Sequence, residues 1–124
     1  MKSTIPGIQE TVVPGFSGAV WTLTGGGGMV VKILTYGGVV QEILVPDEDG
    51  ELVDVVLGFS RASDYEGEHP CFGATVGRIA GRVSNAELNI DGKRFPLLAN
   101  DPPNHLHGGK ESFDRRVWQA EVIS

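Results

Sequence analysis

An all-β fold, built as an antiparallel sandwich, is what this 124-residue sequence predicts, and three observations carry that prediction. Glycine supplies 18 residues, spread along the chain instead of collected into a linker. Between the glycines lie segments of strand length rich in Val, Ile, Leu and Thr, the residues that fit a pleated, half-buried surface. Only one stretch, RASDYEG at 61–67, has the character of a helix, and it is long enough for a turn or two.

The elements follow in order. AVWTLT (19–24), MVVKILTY (29–36) and VVQEILVP (39–46) are strands by length and β-branched content, and GGGG at 25–28 is the turn joining the first two. A phosphate-cradling loop would need Gly-Lys-Ser/Thr opening a helix, whereas here Met29-Val30-Val31 opens a strand. Asp49-Gly50 is a hairpin turn, and DVVLGF (54–59) is the strand after it. In the short helix, Ser60 or Ser63 is placed to cap the start and Gly67 to stop it. AELNIDGKRFPLL (86–98) alternates, turns at Asp91-Gly92 and alternates again, the pattern of a hairpin. VWQAEVI (117–123) is the last predicted strand; with no returning partner it would leave an apolar edge bare, a feature that native sheets cover.

Composition narrows the function classes. A hydrophobic share of 40% and a charged share of 21% describe a globular chain. The formal net charge of -6 argues against nucleic acid and against an anionic membrane surface, both of which attract basic proteins. Cys71 is the only cysteine, so no disulfide forms within the chain. The first fifteen residues lack the apolar run of a secretory signal, and no segment has bilayer-spanning length. The expectation is a soluble, cytoplasmic protein.

Three polar groups stand out. In ATVGRIAGR (74–82), Arg78 and Arg82 are four apart among small residues; on an extended backbone they would share one face. An arginine fork there suits sugar hydroxyls or carboxylates, and it equally suits ion pairs with the acidic residues, which outnumber basic ones 16 to 10. In NHLHGG (104–109), His105 and His107 have the spacing that shares a strand face. Metal binding would need at least one further ligand from His69, Cys71 or a carboxylate. The other readings are a hydrogen-bonded surface histidine and, beside Gly108-Gly109, a contact to a small polar ligand. In SFDRRVW (112–118), Phe113 and Trp118 suit a wall against the C–H face of a sugar, and also plain core packing.

Taken in order, YGGVVQEILVPDEDGELVDVVLGF (36–59), HPCFGATVGRIAGRV (69–83), LNIDGKRFPL (88–97) and PNHLHGGKESFDRRVW (103–118) resemble the aldose 1-epimerase (galactose mutarotase) family. The resemblance implies the family's large β-sandwich, of which 1–124 would be the N-terminal part of a single domain whose remainder is absent. It implies interconversion of the α and β anomers of a free aldohexose such as galactose or glucose, with no metal or organic cofactor. The family's sugar-holding arginine and histidine fall on Arg82 and His107, and Gly108-Gly109 would let the sugar approach. In the family's pattern an asparagine precedes the second arginine; here that position is Gly81, which removes an amide from the sugar's surroundings. The family's general acid and general base would lie beyond residue 124, so no catalytic residue is expected within the chain. The chain alone would be inactive, or active with a complementary C-terminal chain; pairing into a homo-oligomer through the bare edge is also expected. A non-catalytic sugar-binding relative is the alternative, and a hexose-6-phosphate branch fits the acidic balance poorly.

Overall fold

The computed structural model describes residues 7–123. Five strands form one antiparallel meander: β1 (Gly7–Val12), β2 (Ala19–Thr24), β3 (Val30–Leu34), β4 (Val39–Pro46) and β5 (Leu52–Asp54), each paired with the next. Two short antiparallel pairs follow, β6 (Arg82–Val83) with β9 (His105–Leu106) and β7 (Glu87–Ile90) with β8 (Lys93–Pro96). Among the described residues the helical segments are all short 3₁₀ turns. The all-β antiparallel class is as expected.

Local chemistry accounts for the turns. Gly25 to Gly28 closes through the Gly28 N–H and Gly25 carbonyl, 3.1 Å apart. Asp91 and Gly92 are both left-handed, φ 50° and 76°, which matches a tight turn to the twist of the flanking strands. Lys32 and Glu42 face each other across β3 and β4 and form an ion pair of 2.7 Å.

One face of the meander carries the core. Leu34, Val39 and Tyr65 are fully buried, with Val20 and Ala62 beside them and Val13, Phe16, Phe59 and Phe72 packed around. The loop bearing Phe59 and Tyr65 is strapped to the sheet by two polar groups. The buried Gln41 amide donates to the Phe59 and Ser60 carbonyls, each at 3.2 Å, and the Phe59 N–H donates to the Tyr65 hydroxyl at 2.8 Å. Both satisfy backbone groups that burial would otherwise leave unpaired.

The structure differs from the sequence reading in five places. The strand expected at 54–59 is β5, Leu52–Asp54, because the Asp54 carboxylate accepts the N–H groups of Ile43 and Val56 and so ends the ladder. The strand expected at 117–123 is reduced to one bridge, Val117 with Tyr36, since among the described residues no neighbouring strand accepts the rest. Neither Ser60 nor Ser63 caps the short helix; its cap position is Arg61, without a side-chain bond, and Gly67 ends it in an extended conformation. The segment 74–82 is not extended throughout: it bends at 78, 79 and 81 before β6 begins. Finally β1, exposed at every residue, was not foreseen.

Candidate functional site

The site grows from a crossing of two loops. β6 and β9 pair Arg82 with Leu106 and Val83 with His105, which brings the segment 77–82 over the segment 105–113. The crossing is fastened at two points. The Gly77 carbonyl accepts the Phe113 N–H at 3.1 Å, and the Gly81 carbonyl accepts the His107 N–H, also at 3.1 Å. His107, Gly108 and Gly109 are all left-handed, φ 54°, 88° and 76°, so the chain coils sharply back on itself after β9. A Cβ on Gly108 would land on the Gly77 carbonyl oxygen. Gly108 is therefore required by the packing of the crossing itself, a constraint distinct from the close sugar approach expected of it.

The two neighbouring histidines are held in opposite tautomers. The Gly81 N–H donates to His107 Nδ1 at 3.1 Å, so Nδ1 is the unprotonated nitrogen and Nε2–H is the remaining donor. His105 is buried, and its Nδ1 lies 2.8 Å from the Leu98 carbonyl, which can only accept; its Nδ1 therefore carries the proton. The left-handed turn at His107 breaks the strand alternation, so His105 and His107 do not present one face. Their positions correct the shared-face reading, and among the described residues no group of three or more His, Cys, Asp or Glu converges as a metal site would require.

The arginines also separate. Arg82 Nε donates to Asp101 Oδ2 at 2.6 Å, the ion pair that the acidic surplus suggested. Arg78 lies over the Phe113 ring, 5.3 Å from its centre, a cation–π contact, because the bends at 78 and 79 turn it away from Arg82. Phe113 and Trp118 meet edge to face, with centres 5.3 Å apart, and the Trp118 indole N–H donates to the Phe113 carbonyl at 3.0 Å. They form a continuous wall, with Phe113 packed on Gly77 and Trp118 partly open to solvent.

His69 belongs elsewhere. Its ring sits among Phe59, Tyr65 and Phe72, and neither ring nitrogen has a hydrogen-bond partner among the described residues. Burial holds its pKa below the ordinary histidine value, and the Arg115 cation adds to this, while the Asp114 charge and the nearby Tyr65 backbone act the other way. The folded state thus keeps His69 neutral where the unfolded chain would bind a proton. Stability conferred by this difference is present above the unfolded value near 6.5 and is lost as pH falls below it. Replacing His69 with phenylalanine is expected to flatten that acid-side loss and to raise stability by about 1 kcal/mol, since two stranded nitrogens disappear. Urea titrations at pH 7.5 and pH 5.5 check this; an unchanged pH dependence would contradict it.

Sequence reasoning missed two members of the crossing. Asp101 is the partner of Arg82, and the Asn100 amide brackets Leu106, accepting from its N–H and donating to its carbonyl, both at 2.8 Å. Asn-Asp-Pro-Pro at 100–103, a run of turn formers just before β9, was the available signal.

Comparison with solved structures defines the class first. The chain is an antiparallel β protein of galactose mutarotase-like architecture: it superposes on galactose 1-epimerase from Lactobacillus acidophilus NCFM with a TM-score of 0.78 and 32% identity, covering 92% of this chain and 33% of that one. It superposes on an aldose epimerase homologue from C. elegans with a TM-score of 0.74 and 28% identity. The family model for aldose 1-epimerase matches residues 19–124. Galactose mutarotase of Sus scrofa is 42% identical over 94 residues, and aldose 1-epimerase of Escherichia coli (strain K12) is 35% identical over 98. The chain belongs to the aldose 1-epimerase family, and it spans 28% of the length of these two relatives.

Proposed function

We propose that this chain supplies the substrate-holding part of an aldose 1-epimerase-type site, with Gly81, Arg82 and His107 around a free aldohexose such as galactose or glucose. The observation that carries the reading is the crossing itself. One loop presents the Arg82 guanidinium, the other presents His107 with Nε2–H as its donor, and the Gly81 N–H ties the two together. Fixed donors of this kind suit sugar hydroxyls, and the Phe113–Trp118 wall beside them suits a C–H face.

The reaction needs a base to take the proton of the anomeric hydroxyl and an acid to protonate the ring oxygen; the ring opens, C1 rotates and the ring recloses. His69 is enclosed by aromatics and His105 is committed to Leu98, so neither is a candidate for that work. We therefore place the acid–base pair outside residues 1–124, in the remainder of a single sandwich domain supplied by a complementary chain segment. Exposed apolar side chains such as Val55, Leu57 and Val12 support a further layer against this sheet. The setting we propose is cytoplasmic, consistent with a lone exposed thiol. A purely carbohydrate-binding role is the second reading, favoured by the commitment of His69 and His105 to their own surroundings.

Polarimetry on freshly dissolved α-D-glucose and α-D-galactose tests this together with calorimetric titration of both sugars. Hexose binding without acceleration of mutarotation over a buffer blank is expected. Acceleration by the 124-residue chain would overturn the placement of the acid–base pair, and failure to bind either sugar would overturn the site. Gly81 offers a gain-of-function arm. It is left-handed, φ +79°, a conformation asparagine tolerates, and a Cβ there meets nothing within 4 Å. Gly81→Asn is therefore expected to tighten hexose binding roughly threefold to tenfold, the worth of one hydrogen bond.

A further inference from the structure

Within the crossing, Asp101 is held as firmly as the arginine it contacts. Its N–H and carbonyl pair with Asn104, at 3.1 and 2.7 Å, closing a tight turn. The preceding residue, Asn100, grips the backbone of Leu106, and Leu106 is the strand partner of Arg82. Arginine and carboxylate are thus anchored to the same short strand, β9, from its two sides. The contact between them is specific in its atoms: Asp101 Oδ2 takes the Nε–H of Arg82 at 2.6 Å, while the two terminal nitrogens make no hydrogen bond among the described residues. A carboxylate at Nε fixes the plane of the guanidinium from its side edge and leaves the outer terminal group clear of that contact. It also balances the cation's charge. His107 adds none in this arrangement, because its Nδ1 accepts a hydrogen bond and is unprotonated.

We infer that Asp101 is a positioning and specificity-determining residue: it orients Arg82 and offsets its charge, so that the pair favours neutral polyhydroxy ligands over anionic sugars. The inference rests on the hexose site proposed above. A carboxylate serving only to fold the turn would affect every ligand alike. A carboxylate that sets the charge of the site affects neutral and anionic sugars in opposite directions.

The test is titration of the full chain with galactose and with glucuronate, at low ionic strength where exposed charges are least screened. Asp101→Asn keeps the side chain's size and the turn's backbone pairing while removing the charge. Galactose affinity is expected to fall roughly threefold to tenfold and glucuronate affinity to rise about threefold. Asp101→Glu keeps the charge but moves it by one methylene, so galactose binding is expected to weaken without any gain for glucuronate. Parallel losses for both sugars in Asp101→Asn, or no change in either, overturn the inference. A wild-type chain that binds neither sugar overturns the hexose site, and the Arg82 Nε–Hε resonance then decides the geometry. That resonance is expected to be resolved in the wild type and to shift and exchange faster in Asp101→Asn; identical spectra would overturn the positioning role.

Discussion

Gly108→Ala is expected to destabilise the chain by roughly 3 kcal/mol or more, measured as a shift in urea midpoint. Two costs combine at this position. The backbone is left-handed, φ +88°, which costs an L-residue about 1–2 kcal/mol. The new methyl would also collide with the Gly77 carbonyl, a backbone atom that cannot swing aside. Gly77 in turn is held by the Phe113 N–H and by the Phe113 ring packed on its Cα, so relief would require opening the crossing. Gly81→Ala isolates the first cost: it is also left-handed, yet its Cβ would enter open space, and about 1–2 kcal/mol is the full expected loss. Equal effects at Gly81 and Gly108 would contradict the close packing of the two loops. The fluorescence of Trp118, which leans on Phe113, reports the opening directly.

Tyr65→Ala is expected to be the most damaging single core change, costing about 3–5 kcal/mol. Tyr65 is fully buried, meets Phe59 edge to face at 5.2 Å, and lies against His69 at 5.5 Å. Its hydroxyl accepts the Phe59 N–H at 2.8 Å, so truncation empties the aromatic cluster and strands a backbone donor as well. Domains of this size are stable by about 5–15 kcal/mol, so the loss consumes a large part of the total. Tyr65→Phe separates the two contributions, removing the hydroxyl alone at a cost of about 1–3 kcal/mol. Calorimetric melting of both variants checks the prediction. A Tyr65→Ala protein melting within a few degrees of wild type would show that the core lies elsewhere.

Legibility in the sequence tracks how local the deciding interaction is. The Asp91-Gly92 hairpin was readable because its turn and both strands lie within a dozen residues. The meander strands β2, β3 and β4 were readable for the same reason, each being apolar, β-branched and joined to the next by a short turn. β1 escaped because an exposed edge strand needs no apolar alternation; its pairing with β2 supplies what its sequence lacks. The segment 117–123 failed in the opposite sense. It has a strand's composition, yet a strand exists only where a neighbour accepts its backbone, and beyond the Trp118 N–H, which the Thr35 carbonyl takes, none does among the described residues. The shared face of Arg78 and Arg82 depended on an extended backbone, which the bends at 78, 79 and 81 replace.

The all-β class, the turn positions, the family resemblance and the kinds of residue at the site were all legible before folding, because each is written in short windows or in the order of motifs. What those residues are free to do depends on long-range contacts. His105 is committed by Leu98, seven residues away, and His107 is set in its tautomer by Gly81, 26 residues away. Arg82 is directed by Asp101, at a separation of 19, and Arg78 is drawn off to Phe113. A side chain's availability is fixed by the partners that folding brings to it, and no local pattern of residues specifies those partners.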